Sequence, residues 1–342
     1  MRANRERGVT LPELLISVVV LGILSIAISP ILNSYVVSMR GSYAKKQEVT
    51  NQTVGVSLLN FAADSTRLGE LPPPFTGAGY VSTVFNPADA SASGLALTGA
   101  LTQSGINPSE INDDNYASHR VRVYQRVAGL NAVFPLAFQS GPVVTLTYQY
   151  AAIYMTACEK SKAVCNPAAT GVPGTSAAMT KSNYSTWTSS GTDMPAYFVS
   201  TLPLQKQMLA GTNDKLNKIK DALLSHYRAQ QRTAAGNDMS NFWLPFPGTK
   251  GGKAPGPNQG CRDGWYDLST DQTILPGVGL TTTEYGQTAW GGPIEYCRDY
   301  DPTGNKAPDA APHLAALRIH SSVSIGSAPD PAVMNNNVVL TF

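Results

Sequence analysis

No charged side chain occurs between residues 14 and 39, and residues 14–32 (LLISVVVLGILSIAISPIL) form an unbroken run of apolar and small residues. As a helix rising 1.5 Å per residue, that run extends about 28 Å, close to the thickness of a bilayer core. The pattern predicts one membrane-spanning helix. Beyond it, Val36, Met39, Tyr43, Val49, Val54, Leu58 and Phe61 recur at loosely helical spacing, with Lys45, Lys46 and Glu48 on the other side. This predicts that the helix continues to about Arg67 as an amphipathic rod, its apolar stripe turned to whatever follows. Gly69 and the run Pro72-Pro73-Pro74 end it.

The pattern then changes period. Residues 86–115 are rich in Ala, Ser, Gly and Asn and read mostly as loop, with room for one short helix. Residues 120–127 alternate. Residues 142–156 place Val144, Leu146, Tyr148, Tyr150, Ala152 and Tyr154 on one face and Thr145, Thr147 and Gln149 on the other, so both segments predict strands. A Ser/Thr/Gly stretch, 166–193, precedes a strand at 196–202. Leu216, Ile219, Leu223, Leu224 and Tyr227, with Lys215, Lys218 and Lys220 beside them, predict an amphipathic helix over 204–232. It leads into Phe242-Trp243-Leu244-Pro245-Phe246-Pro247, an echo of Glu70-Leu71-Pro72-Pro73-Pro74-Phe75 after the first helix. The echo suggests a second helix-plus-sheet unit built like the first, without its own membrane segment. Residues 314–324 and 337–342 are the last predicted strands. The expected class is α+β: a long N-terminal hydrophobic helix, then antiparallel sheet. The expected divisions are 1–8, 9–68 (14–35 its membrane part), 69–203 and 204–342.

Arg2, Arg5 and Arg7 stand before the apolar run against a single acid, Glu6. The positive-inside bias therefore places Met1 in the cytoplasm and the chain after about Arg40 outside. Three kinds of N-terminus compete: a cleaved secretory signal, a plain signal anchor, and a leader cut before the apolar run. A secretory signal has a shorter apolar core and a small-residue cleavage site after it. Thr10 and Glu13 by themselves read as a helix-capping box, with Pro12 tolerated in the first turn.

The segment Gly8-Val9-Thr10-Leu11-Pro12-Glu13, placed at the lip of the apolar run, resembles the prepilin peptidase site of the type IV pilin and type II secretion pseudopilin superfamily. The resemblance implies cleavage between Gly8 and Val9, methylation of the new N-terminus, and a glutamate, Glu13, in the first turn of the processed chain. Gly22 and Pro30 fall where many members have a helix-weakening glycine and a kinking proline; Val9 stands where most have Phe. A carboxylate at a membrane helix centre costs on the order of 2.5–3.5 kcal/mol, less toward the interface, so Glu13 needs a cation. The family supplies one: the α-amino group of Val9 on a neighbouring subunit, which sets register more than it adds stability. Gly22 and Pro30 mark a stretch that either melts in a filament or simply kinks a membrane helix.

The resemblance covers little beyond the first thirty-five residues; Trp290-Gly291-Gly292-Pro293 adds a turn that in large pilin-like proteins precedes a strand. It implies a subunit made in the bacterial inner membrane as a single-pass precursor, then carried into a pilus at the cell surface or a periplasmic pseudopilus. Its partners would be the peptidase and methylase, an inner-membrane assembly platform and other pilins. A chain this long points to a minor pilin, or to one with an elaborated head that binds a surface, a phage or DNA. A secretion pseudopilin is the second reading, and a membrane-anchored binding protein that never polymerises is the third.

Composition adds mainly exclusions. Over 342 residues, 25 Lys+Arg against 23 Asp+Glu give a formal charge of +2, without the field of a nucleic-acid binder. Only 14% of residues are charged, so the surface is built from neutral polar and small side chains. Four cysteines lie on the exported side, where oxidation is favoured; the most local of three pairings joins Cys158 to Cys165 and Cys261 to Cys297. A zinc site would need CxxC spacing and nearby histidine. Asp299, Asp301, Asn305 and Asp309 lack EF-hand spacing and read as a solvated turn rather than a calcium loop. His119, His226, His313 and His320 stand apart, with no nucleophile elbow, HExxH or P-loop in the chain. Neither an enzyme nor a cofactor is expected.

Overall fold

The computed structural model describes residues 11–74, 90–107, 122–136, 143–155, 178–189, 195–236, 243–246, 254, 258–302 and 314–342, with residues 11–27 and 40 described by backbone alone. One continuous helix, α1 (Leu11–Ala63), opens the chain and runs through Pro30. It stops short of the expected end near Arg67 because Asp64 folds back on the chain. The Asp64 carboxylate accepts from the Thr66 amide at 2.8 Å and hydroxyl at 2.5 Å, a local alternative to the next helical turn.

The following residues are fastened to the sheet. Arg126 donates to the carbonyl of Leu71 at 2.7 Å and the Tyr124 hydroxyl to that of Pro72 at 2.8 Å. The short helix for which 86–115 left room is α2 (Ala92–Gln103), capped by Ser91, whose hydroxyl accepts from Gly94 N.

The first sheet is built from β1 (Arg122–Pro135), β2 (Val143–Met155) and β3 (Tyr197–Ser200), all antiparallel, in that order. β1 is longer than the expected 120–127, because a bulge between Val127 and Leu130 lets pairing resume beyond Gly129. α3 (Leu202–Thr233) follows β3 directly. The second sheet has the order β4 (Tyr266–Asp267), β5 (Glu295–Tyr300), β6 (Leu314–His320), β8 (Asn337–Thr341), again antiparallel. Two one-turn helices, α4 (Ile274–Gly277) and α5 (Thr282–Tyr285), lie between β4 and β5.

The strand expected over 314–324 is two strands. After β6 the chain breaks at Ser321, whose amide donates to Asn336 O and whose carbonyl accepts from Thr145 N at 2.7 Å. β7 (Ser322–Val323) then joins the first sheet, parallel to β2 at Thr145 and Leu146. The two sheets are thereby stitched together.

Each sheet has its own helix. Val54, Leu58 and Ala62 of α1 and Leu97 and Leu101 of α2 pack on Tyr124, Ala151, Ile153 and Val199 of the first sheet. Leu209, Leu216, Ile219 and Leu223 of α3 pack on Tyr296, Leu317, Ile319 and Val338 of the second, in a core that also takes in Val144 and Leu146 of β2. Burying each such aliphatic side chain stabilises by roughly 1.5–3 kcal/mol.

The face of β2 expected to be polar is also covered. Gln149 is buried, its side-chain oxygen accepting from Leu71 N at 2.9 Å and its backbone N–H donating to Thr201 Oγ1 at 2.9 Å. The opposite face is closed by 178–189, part of the Ser/Thr/Gly stretch, through Met179 and Trp187 on Tyr148, Ala152 and Tyr154.

The Trp-Gly-Gly-Pro turn does precede a strand, β5. Trp290 is buried and donates to Gln205 Oε1 at 2.6 Å. A Cβ on Gly292 would lie 2.1 Å from the carbonyl oxygen of Ser327, so only glycine fits there. Gln205 also donates to Leu68 O at 3.4 Å, and so joins the end of α1, the start of α3 and this turn.

Candidate functional site

The chemistry of this protein is that of a surface, and α1 presents it. Residues 28–39 have no side chain buried against the head. Ile28, Ile31, Leu32, Tyr35, Val36, Val37 and Met39 are exposed, Ile31 and Val37 by 67% and 68%. A contiguous apolar sleeve of this kind marks a face that meets lipid or another protein.

Contact with the head begins a turn later. Gln47, Asn51, Val54, Leu58 and Ala62 are buried, three or four apart, and with Ser57 form the head-facing stripe. At its lower end the stripe is polar: Arg122 of β1 donates to Gln47 Oε1 at 2.5 Å and to Asn51 Oδ1. Higher up, Gly55 lets the helix approach β3, since a Cβ there would lie 2.3 Å from the Tyr197 ring.

The single apolar stripe expected along α1 is in fact two. Val54 and Leu58 face the sheet, whereas Val36, Met39 and Val49 are exposed, joined by Val56. At about 100° per residue, Val49 and Val54 stand about 140° apart and cannot share a face. Ile28, Leu32, Tyr35, Met39, Val49 and Val56 lie on one outward line at alternating four- and three-residue steps, interrupted by Ser42, Lys46 and Thr53. Sequence reasoning merged the two lines because both are amphipathic; the heptad spacing was the signal that separates them.

Of the residues singled out from sequence, Gly8 and Val9 lie outside the described residues. Glu13 and Gly22 lie within α1, where only their backbone is described. Pro30 is exposed within the sleeve. Among the described residues no helix is long and apolar enough to cross a membrane. The part of the 14–32 run before Ile28 falls outside the residues to which that applies.

Cys158 and Cys165 also lie outside the described residues. Cys261 is disulfide-bonded to Cys297, with Cα atoms 5.8 Å apart, tying the loop before β4 to β5. Beside it Arg318 and Glu295, opposite each other on β6 and β5, form a buried pair at 2.5 Å. The Arg318 guanidinium lies 4.2 Å over Trp265 and donates to Gln259 Oε1. Burial raises the Glu295 carboxyl pKa, against the opposing pull of Arg318.

The solvated acidic turn is not what the structure shows at Asp299. Asp299 is buried on β5, its carboxylate 3.7 Å from Arg262 Nη1; Asn305 and Asp309 lie outside the described residues. Among the described residues no three His, Cys, Asp or Glu side chains gather as metal ligands. His320 serves the turn after β6, its Nδ1 accepting from Ser322 N at 2.9 Å, and His226 is half-buried on α3. His119 and His313 lie outside the described residues.

Residues 3–29 match the prokaryotic N-terminal methylation motif, the signature of type IV pilins and pseudopilins. The match supports a type IV pilin-like or pseudopilin protein processed by prepilin peptidase. Comparison with curated proteins and with solved structures gives no match for this chain.

Proposed function

We propose that this chain is a structural subunit of a type IV pilus or pilus-like filament, cut between Gly8 and Val9 and polymerised through α1. The observation that carries the reading is the exposed sleeve Ile28–Met39, continuous in the same helix with residues 11–29 of the matched motif. Seven exposed apolar side chains in water are a standing cost; covering them by lipid or by neighbouring helices stabilises by roughly 10 kcal/mol at about 1.5 kcal/mol each. Before assembly the cover is the inner membrane, with 14–35 as its single pass and Met1 cytoplasmic. After assembly it is the α1 of other subunits, delivered by an inner-membrane platform.

Glu13 has a part in that exchange. In the membrane its carboxylate lacks a partner; beside the free α-amino group of Val9 on the preceding subunit it gains one, which selects one register among many equally greasy ones. The remainder of the chain, 69–342, is carried outward as the head.

The test is intact mass and N-terminal sequencing of protein from cells and from sheared surface material. A start at Val9 with one added methyl group, present in the sheared fraction, supports the reading. A start at Met1 with all material in the membrane overturns it in favour of an anchor that does not polymerise. Glu13→Ala should insert and be cut normally yet fail to enter filaments, and Gly8→Ala should remain uncut.

A further inference from the structure

We infer that the head carries a binding cleft for a neutral saccharide, between the turn after β4 and the start of α5. The cleft is open to solvent and has a volume of about 570 Å³, within the range of small-molecule sites. None of its lining residues is charged, and all come from the chain after α3. Burial of α1 in a membrane or a filament therefore leaves it open.

The walls are held from behind. Asp271 is buried, and its carboxylate accepts from Thr273 N at 2.8 Å and Ile274 N at 2.6 Å, fixing the start of α4. The Thr282 hydroxyl donates to Asp271 O at 3.2 Å, which ties α5 to the same turn. Asp267 takes the Ser269 amide and hydroxyl at 2.7 and 2.6 Å. Ile274 and Leu275 anchor the whole in the α3 core.

With those groups committed, four lining side chains remain exposed and make no hydrogen bond among the described residues: Gln272, Thr281, Thr283 and Gln287. Two amides and two hydroxyls offer donors and acceptors in near-equal number. Pro276 and Leu280 add an apolar patch between them.

That combination selects a chemistry. No lining side chain offers a counter-charge to a sulfate or phosphate, and the Lys215 ammonium behind the wall is committed to Gln287 O at 3.0 Å and offset by Glu284. A wholly apolar ligand would strip water from amides and hydroxyls without replacing its hydrogen bonds. A sugar ring presents one face of C–H groups and a rim of neutral hydroxyls, and satisfies both kinds of wall.

The inference deepens the filament reading by naming what an exposed head would hold, but the cleft does not depend on polymerisation. Full-length chain in detergent is titrated calorimetrically with cellotetraose, maltotetraose, chitotetraose and a sulfated heparin tetrasaccharide. At least one neutral tetrasaccharide should bind in the micromolar to millimolar range. Gln272→Ala and Gln287→Ala should each weaken it about tenfold, the scale of one lost hydrogen-bonding side chain, with the unfolding curve unmoved. Absence of binding by all three neutral probes, tighter binding of the sulfated probe, or affinity unchanged in both variants would overturn the assignment. The start residue and the sheared fraction report on polymerisation separately, so either reading can fail alone.

Discussion

α1 and α3 are both long helices laid on an antiparallel sheet, and their inward faces are alike: Val54, Leu58 and Ala62 in one, Leu209, Leu216, Ile219 and Leu223 in the other. Their outward faces are opposite. α3 turns Lys206, Asp214, Lys218, Asp221 and Arg228 to solvent, as a surface helix does. α1 turns Ile31, Tyr35, Met39, Val49 and Val56 outward. Water suffices as a partner for α3. For α1 it does not, and on the filament reading its remaining contacts come from lipid or from other subunits.

The largest effect on stability should come from the α3 side, where Trp290 is buried beside the α3 core. Trp290→Ala should lower the unfolding free energy by about 3–5 kcal/mol, by opening a cavity and leaving Gln205 Oε1 without its donor. Urea unfolding of the detergent-solubilised chain, followed by circular dichroism, measures this. Leu58→Ala, on the inward face of α1, should cost about 2–5 kcal/mol in the same assay.

Alkaline pH probes the internal contacts without mutation. Burial pushes the hydroxyls of Tyr124, Tyr154 and Tyr296 well above the ordinary tyrosine value of 10.0, and Tyr148, hydrogen-bonded to Tyr184, is pushed up to about 12. Below that ordinary value these groups are neutral in both states and the stability is fully present. Above it the unfolded chain loses protons that the folded chain keeps, so stability falls as pH rises toward the folded values. Phenolate absorbance should therefore rise together with loss of circular dichroism; early, free titration of all tyrosines would show that these hydroxyls are not sequestered.

The smallest effect should be Ile31→Ala, within about 0.5 kcal/mol of the parent, because its side chain touches nothing in the head. Its reduced entry into filaments, scored in the sheared fraction, would sharpen the contrast with Leu58→Ala. A loss of head stability as large as that of Leu58→Ala would erase it.

Much of this was legible from local pattern. α1, α3 and the β1–β2 pair follow from periodicity and from Pro and Gly punctuation, α2 fills the room left in a segment read mostly as loop, the turn at Trp290 was marked by resemblance, and the candidate assembly helix is announced by a run of uncharged residues. Where reading failed, a distant partner intervened. The 314–324 strand splits because Ser321 serves Asn336 on one side and Thr145 on the other. Asp299 is buried because Arg262 comes round to meet it. Residues 178–189 carry few apolar side chains, yet Met179 and Trp187 close a face of the first sheet.

By itself the sequence determined the two long helices, most of the strands, and the place where the chain changes from apolar to amphipathic. Those depend on neighbours within a few positions, whose hydrogen bonds and spacing are written along the chain. Only the tertiary structure decided which side of α1 is used by the head. A helix with apolar residues on two lines has no local reason to prefer either, and the choice fell to Gly55 meeting Tyr197 and to Arg122 reaching Gln47 and Asn51. The cleft below α5 belongs to the same class: its hydroxyls and amides are unremarkable in sequence, and became a site only when Asp271 held two segments in place to form its walls.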